Sequence, residues 1–147
     1  MRIIVISDTH QYYRNFETIV LRNPDADMFL HLGDGESEYQ LLCRNMPEVA
    51  DKFRYVKGNC DYGSDAPLTE LIDVAPNHRI LATHGHRYRV NSTLDYLEQE
   101  ALENGCDVAL YGHTHESRCT YENGIYVMNP GLSLIHISEP TRQAEIS

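Results

Sequence analysis

Short apolar runs recur along the chain, and five of them stop at side chains of metal-binding type. Residues 2–7 (R-I-I-V-I-S) run into Asp8-Thr9-His10, and residues 27–32 (D-M-F-L-H-L) into Gly33-Asp34-Gly35. Residues 53–57 lead to Gly58-Asn59-Cys60-Asp61, and residues 79–82 to Thr83-His84-Gly85-His86. Residues 107–110 lead to Tyr111-Gly112-His113-Thr114-His115. β-Branched runs of this length read as buried strands. Polar side chains gathered beyond the carboxyl ends of strands fit the usual site position of α/β folds.

Each pattern alone has an ordinary reading. Asp8 or Thr9 could cap a following helix. Asp34 could be a turn aspartate between glycines, and Asn59 could belong to a plain turn. His31 lies inside its run and reads as a packing residue. Together the patterns say more. Asp8 and His10 can chelate one ion from one loop, and the i, i+2 spacing sends His113 and His115 to the same side. Asp8, His10, Asp34, Asn59, His84, His113 and His115 are too many donors for one four-coordinate zinc. They suit two ions sharing a carboxylate, of the kind that sit ~3.5–4 Å apart and clamp an in-line phosphoryl displacement.

The rest of the chain supplies supporting elements. Residues 11–23 are helical in period, with Tyr12, Tyr13, Phe16, Ile19 and Val20 on one face and Pro24 as the stop. Residues 36–45 read as a second helix with Glu36 and Glu38 in a solvated first turn. Ser92 and Asp95 approximate a capping box for a third, with Leu94, Leu97, Ala101 and Leu102 on its inner face and Gly105 ending it. Hairpins are expected around Pro76-Asn77 and around Asn123-Gly124, the latter the stronger turn signal. A chain of 147 residues fits one domain. Its net charge of −10 argues against a broad nucleic-acid or anionic-membrane surface. A small phosphate-bearing substrate stays open, because bound cations reverse a local field. No apolar run approaches transmembrane length and no signal-peptide layout opens the chain, so a cytoplasmic setting is expected. Cys43, Cys60, Cys106 and Cys119 lack C-x-x-C spacing and read as thiols.

The motifs D-T-H, G-D, G-N-C-D, T-H-G-H, G-H-T-H and N-P-G, in this order, resemble those of the calcineurin-like metallophosphoesterases. Within them the chain is most similar to the small bacterial YfcE-like phosphodiesterases, over residues 1–131. The resemblance implies a four-layer α/β/β/α sandwich of two mixed sheets. It implies two divalent metal ions of the manganese, nickel, zinc or iron class (Mn, Ni, Zn or Fe). Asp8, His10, Asp34 and His115 would hold the first, and Asp34, Asn59, His84 and His113 the second. It further implies a hydrolase that opens small phosphoesters, diesters above all, with a metal-bridging hydroxide as nucleophile. Asn59 would orient the phosphate, and His86 would support the site or touch substrate. A non-catalytic metal-binding or protein-binding scaffold of the same fold is the alternative.

Two features depart from the family pattern. Cys60 stands where many superfamily members carry a histidine proposed to protonate the leaving group. A thiol of ordinary pKa ~8.5 suits that role poorly, which favours diesters and activated esters. Residues 132–147 read as a translated sequencing-library adapter. They are expected to be a foreign tail without function, behind a domain that lacks its C-terminal strands. Residues 132–137 are nevertheless apolar enough to pair with a sheet edge, with His136 held away from the metals.

Overall fold

The computed structural model describes residues 2–74, 77–131, 134–137 and 144–146, the last two stretches as backbone. Two five-stranded sheets form its centre. The first is built from β1 (Ile3–Ile6), β2 (Met28–His31), β3 (Phe53–Tyr55), β9 (Leu134–Ile137) and β10 (Ala144–Ile146), in the order β10-β9-β1-β2-β3. The second contains β4 (Thr69–Val74), β5 (His78–Thr83), β6 (Val108–Leu110), β7 (Arg118–Glu122) and β8 (Ile125–Asn129), in the order β4-β5-β6-β8-β7. Helices α1 (Tyr13–Leu21), α2 (Glu36–Asn45) and the short α3 (Pro47–Ala50) connect the strands of the first sheet. Helix α4 (Asp95–Glu103) lies between β5 and β6. Among the described residues no helix is long and apolar enough to cross a membrane.

The period-2 alternation of each strand decides the layers. Ile3, Val5 and Leu30 face Ile80, Ala82, Val108, Leu110 and Met128 across a dry space between the sheets. The opposite faces are just as apolar. Ile4, Ile6 and Phe29 pack on Phe16, Val20 and Leu42 of α1 and α2. Leu81, Ala109 and Val127 pack on Leu97 and Ala101 of α4. Strands covered on both faces must be apolar throughout, which accounts for the continuous runs. The result is the four-layer α/β/β/α sandwich that the resemblance implied.

Local signals hold to different degrees. Asn123 and Gly124 both have positive φ (55° and 80°), the twist that a two-residue hairpin turn requires, and β7 pairs antiparallel with β8. The β4–β5 hairpin forms too, although residues 75 and 76 of its turn lie outside the described residues. Gly105 ends α4 with φ 69°, and the Cys106 and Gly105 N–H groups close back on Ala101 and Leu102 at 2.8 and 3.2 Å. The Ser92–Asp95 capping box does not form. The helix starts later, and the Thr93 hydroxyl accepts the Asp95 N–H at 3.2 Å instead. Leu102 turns out to solvent, because Leu97 and Ala101 already fill the contact with the sheet. Tyr12 precedes α1 and is 68% exposed, so it leaves the inner face expected of it. Neither Asp8 nor Thr9 caps α1.

Residues 134–137 pair antiparallel with β1, Leu134 opposite Ile6 and Ile137 opposite Ile3. The reading of His136 concerns a side chain outside the described residues. Ending the chain after Gly131 would strip β1, the strand that leads into the Asp8 loop, of this neighbour. Each backbone hydrogen bond contributes ~0.5–1.5 kcal/mol net, so the shortened chain should unfold at a clearly lower urea concentration. An unchanged midpoint would show that β9 adds nothing to the fold.

Candidate metal centre

Strands β1, β2 and β3 run parallel and finish at one rim, and β5 and β6 do so in the second sheet. The loops leaving this rim carry every candidate ligand. They interlock through the backbone. Asp8 N–H donates to Gly33 O at 3.0 Å, His10 N–H to Asp34 O at 3.1 Å, and Gly112 N–H to His84 O at 2.9 Å. Five of the candidates take left-handed backbone: Asp8 (φ 56°), His10 (39°), Asp34 (61°), His113 (71°) and His115 (61°). Non-glycine residues held there cost on the order of 1–3 kcal/mol each, and such strain gathers at functional sites. Two glycines permit the close approach. A Cβ on Gly58 would lie 2.1 Å from Asp34 Oδ1, and one on Gly112 2.0 Å from Ser7 Oγ.

The donors fall into two groups. In the first, Asp8 Oδ1 lies 3.7 Å from His10 Nε2 and 3.4 Å from His115 Nε2, and the two imidazole nitrogens are 3.2 Å apart. In the second, His84 Nε2 lies 3.2 Å from Asp34 Oδ2 and 3.2 Å from His113 Nδ1. Asn59 Oδ1 joins it, 2.9 Å from His84 Nε2. Asp34 Oδ2 also lies 3.9 Å from His10 Nε2, so one carboxylate oxygen stands between the groups. The second group is the more enclosed: the His84 side chain is fully buried, whereas those of His10 and His115 are 36% and 45% exposed.

This donor set fits divalent cations. Asp8 Oδ2 accepts the Ser7 hydroxyl at 2.6 Å and the His113 N–H at 3.0 Å. Its Oδ1 is buried with no hydrogen-bond partner and faces the histidine nitrogens. A buried carboxylate oxygen left this way is costly unless a cation meets it. The His84 Nδ1–H donates to Leu32 O at 2.7 Å, which leaves Nε2 as the ligand atom.

The metal-free electrostatics agree. Burial alone would raise the Asp34 carboxyl, but the His84 hydrogen bond and the Cys60 N–H at 2.8 Å outweigh it and hold the pKa at about 2. Burial pulls the His84 imidazole down, yet Asp34 and Asp8 lift it above its ordinary value. His113 and His86 are both lowered, first by burial and then by the histidines around them. His86 stands beside the second group, its ring centroid 5.5 Å from that of His84, and its Nδ1 is buried without a partner.

Several residues that fix this geometry carry no metal-binding signature. Asp61 Oδ2 accepts the Tyr55 hydroxyl at 2.7 Å, the Gly58 N–H at 2.8 Å and the Asp34 N–H at 3.0 Å. Its place at the end of G-N-C-D was the available signal. Burial and then the Asp61 carboxylate push the Tyr55 phenol well up, which keeps it a donor. Gly33 N–H donates to His31 Nδ1 at 3.1 Å, His31 Nε2 meets Thr9 Oγ1 at 3.1 Å, and the Thr9 hydroxyl donates to Glu38 Oε2 at 3.0 Å. Burial lowers His31 to about 3, so it stays neutral and packs, stacked on Tyr55. Glu38 is therefore buried and bonded, not part of a solvated turn. Buried Asn129 donates to Gly112 O at 3.0 Å and Thr114 Oγ1 at 2.9 Å, holding the G-H-T-H loop.

Comparison with known proteins converges on one family. The profile of the calcineurin-like phosphoesterase superfamily domain matches residues 1–143. The chain is 33% identical over 132 residues to a probable metallophosphoesterase, YsnB, of Bacillus subtilis (strain 168), covering 89% of this chain and 74% of that one. It is 33% identical over 97 residues to the phosphodiesterase YfcE of Escherichia coli (strain K12), covering 61% and 49% of the two chains. The fold is shared with wild-type Vps29 of Entamoeba histolytica, solved with zinc, at a TM-score of 0.76 and 22% identity, over 98% of this chain and 89% of that one.

Asp61→Ala tests the supporting network. It strands the Asp34 and Gly58 N–H groups and the Tyr55 hydroxyl, and each buried unpaired donor costs ~1–3 kcal/mol. Stability in urea should fall by several kcal/mol, and Mn²⁺ affinity measured by calorimetry should fall with it. Unchanged affinity would show that Asp61 does not place Asp34.

Proposed function

The chain belongs to the calcineurin-like phosphoesterase superfamily, and on that premise we propose that it is a two-metal phosphoesterase acting chiefly on phosphodiesters. The observation that carries this reading is Asp34, whose Oδ2 faces His84 on one side and His10 on the other. Asp8, His10, Asp34 and His115 would hold one divalent ion, and Asp34, Asn59, His84 and His113 the second. Ions of the manganese, nickel, zinc or iron class supply Lewis-acid polarisation of phosphoryl oxygens and a water of lowered pKa.

The chain's own residues supply placement. Asn59 and His86 flank the second group, where they would orient the phosphate. Burial and then Asp34 push the Cys60 thiol up, further from the range in which a side chain protonates a leaving oxygen. The leaving group must then depart largely unassisted, as an activated ester or diester can. A small phosphoester is the proposed partner, met in the cytoplasm. Residues 1–131 carry every group in this reading, and residues 132–147 are assigned no part in it. The scaffold alternative shares the fold but needs no complete ligand set, whereas all seven donors gather here.

Turnover against leaving-group pKa on the Mn²⁺-loaded protein tests this. Bis(4-nitrophenyl) phosphate should be hydrolysed and the dependence should be steep, with Cys60→His raising rates only for poor leaving groups, by at most ~10²–10⁴-fold. Asp34→Asn should lower metal content and turnover together. A flat dependence would mean that another group donates the proton. Two retained metals with near-normal turnover in Asp34→Asn would remove its bridging role.

A further inference from the structure

Two recesses of unlike chemistry border the metal centre, and His10 lines both. One is a groove of mixed character, about 560 Å³, where the exposed ring of Tyr62 stands with Gln11, Glu36, Ser37, Gln40 and Ser64. The other is a pocket of about 370 Å³ whose floor and walls come from Ile6, Phe16, Ile19 and Tyr12, with Asn15 at its rim. Volumes of ~300–1,000 Å³ are usual for small-molecule sites. Asp8, His10 and His115 form the inner end of the pocket, so it opens on the first ligand group without an intervening wall.

The pocket's make-up is not explained by packing alone. Ile6 and Phe16 are buried core residues, but Tyr12 stands 68% exposed at the mouth, just before α1. Gln11, with φ 71°, turns the chain so that Tyr12 follows directly on the His10 loop. An exposed aromatic ring beside a cluster of metal-binding groups gives an apolar ligand group a surface to cover.

We propose that this pocket seats the apolar, preferably aromatic, ester group of the substrate, against Tyr12 and Ile19, while the phosphate lies at the ligand groups. The inference rests on the phosphoesterase reading and narrows its substrate class to esters with one apolar arm. The groove that shares His10 has one exposed ring, Tyr62, among hydroxyl, amide and carboxylate groups, so the pocket is the more apolar of the two.

Direct binding separates this from the catalytic reading. Calorimetry on the Mn²⁺-loaded full chain would compare phenyl phosphate with methyl phosphate, two ligands with the same head group. Burying the ring should make phenyl phosphate bind about tenfold more tightly or better. Asn15→Trp fills the pocket from its exposed rim without removing core packing, and Tyr12→Ala removes a wall. Both should cut the preference to about twofold, with metal content and melting temperature unchanged. Equal affinity for the two esters in the unaltered protein would overturn the proposal even if diesters are hydrolysed. A full preference surviving in Asn15→Trp would overturn it as well. If neither ester binds while two metals are held, this proposal fails, whereas hydrolysis of bis(4-nitrophenyl) phosphate by the same sample would leave the phosphodiesterase reading standing.

Discussion

One carboxylate constrains the rest of the molecule. Asp34 sits on left-handed backbone after β2, buried, with Oδ1 bonded to the Cys60 N–H and Oδ2 aimed between two histidine groups. Burying an anion is expensive unless charge and hydrogen bonds answer it. Here the answers come from loops of both sheets, so the site exists only when the sandwich is closed. Asp61 gathers the Asp34 and Gly58 loops onto one oxygen, and Gly58 must lack a side chain for them to meet. Asp8 Oδ1 is buried with no hydrogen bond, so bound cations should stabilise the fold by mass action.

The architecture serves that convergence. Parallel strands send their carboxyl ends to one rim, and two sheets packed face to face place two such rims together. The dry layer between Ile3, Val5 and Leu30 on one side and Ile80, Val108 and Leu110 on the other holds the rims in register. Enough packing stands behind the loops to sustain five left-handed non-glycine candidate ligands. The same rigidity holds donor nitrogens of His84 and His113 3.2 Å apart.

Much of this was legible because strands buried on both faces announce themselves as unbroken apolar runs. The candidate ligands at their ends stand out once the runs are recognised. Asn123-Gly124 and Gly105 read correctly because their chemistry is local. Most of what stayed hidden involves partners distant in sequence. Glu38 has the pattern of a solvated helix start, and only Thr9, reaching over from the β1 loop, makes it a buried acceptor. Asp61 looks like a turn residue until the Tyr55 hydroxyl and the Asp34 N–H are seen on its oxygen. The miss at Ser92 is local: Thr93, one residue on, takes the Asp95 N–H just ahead of the helix, a choice that periodicity does not resolve. Left-handed φ at aspartate and histidine leaves no mark in composition.

The central claim is that Asp34 is shared by two ions. A crystal of the protein soaked in Mn²⁺, with anomalous scattering recorded at the manganese edge, examines it without reference to turnover. The account predicts two peaks ~3.5–4 Å apart, the spacing of paired catalytic metals. One peak should lie among Asp8, His10 and His115, the other among Asn59, His84 and His113, with Asp34 Oδ2 touching both. A single peak at full metal loading, or two peaks with Asp34 bound to only one, would contradict it.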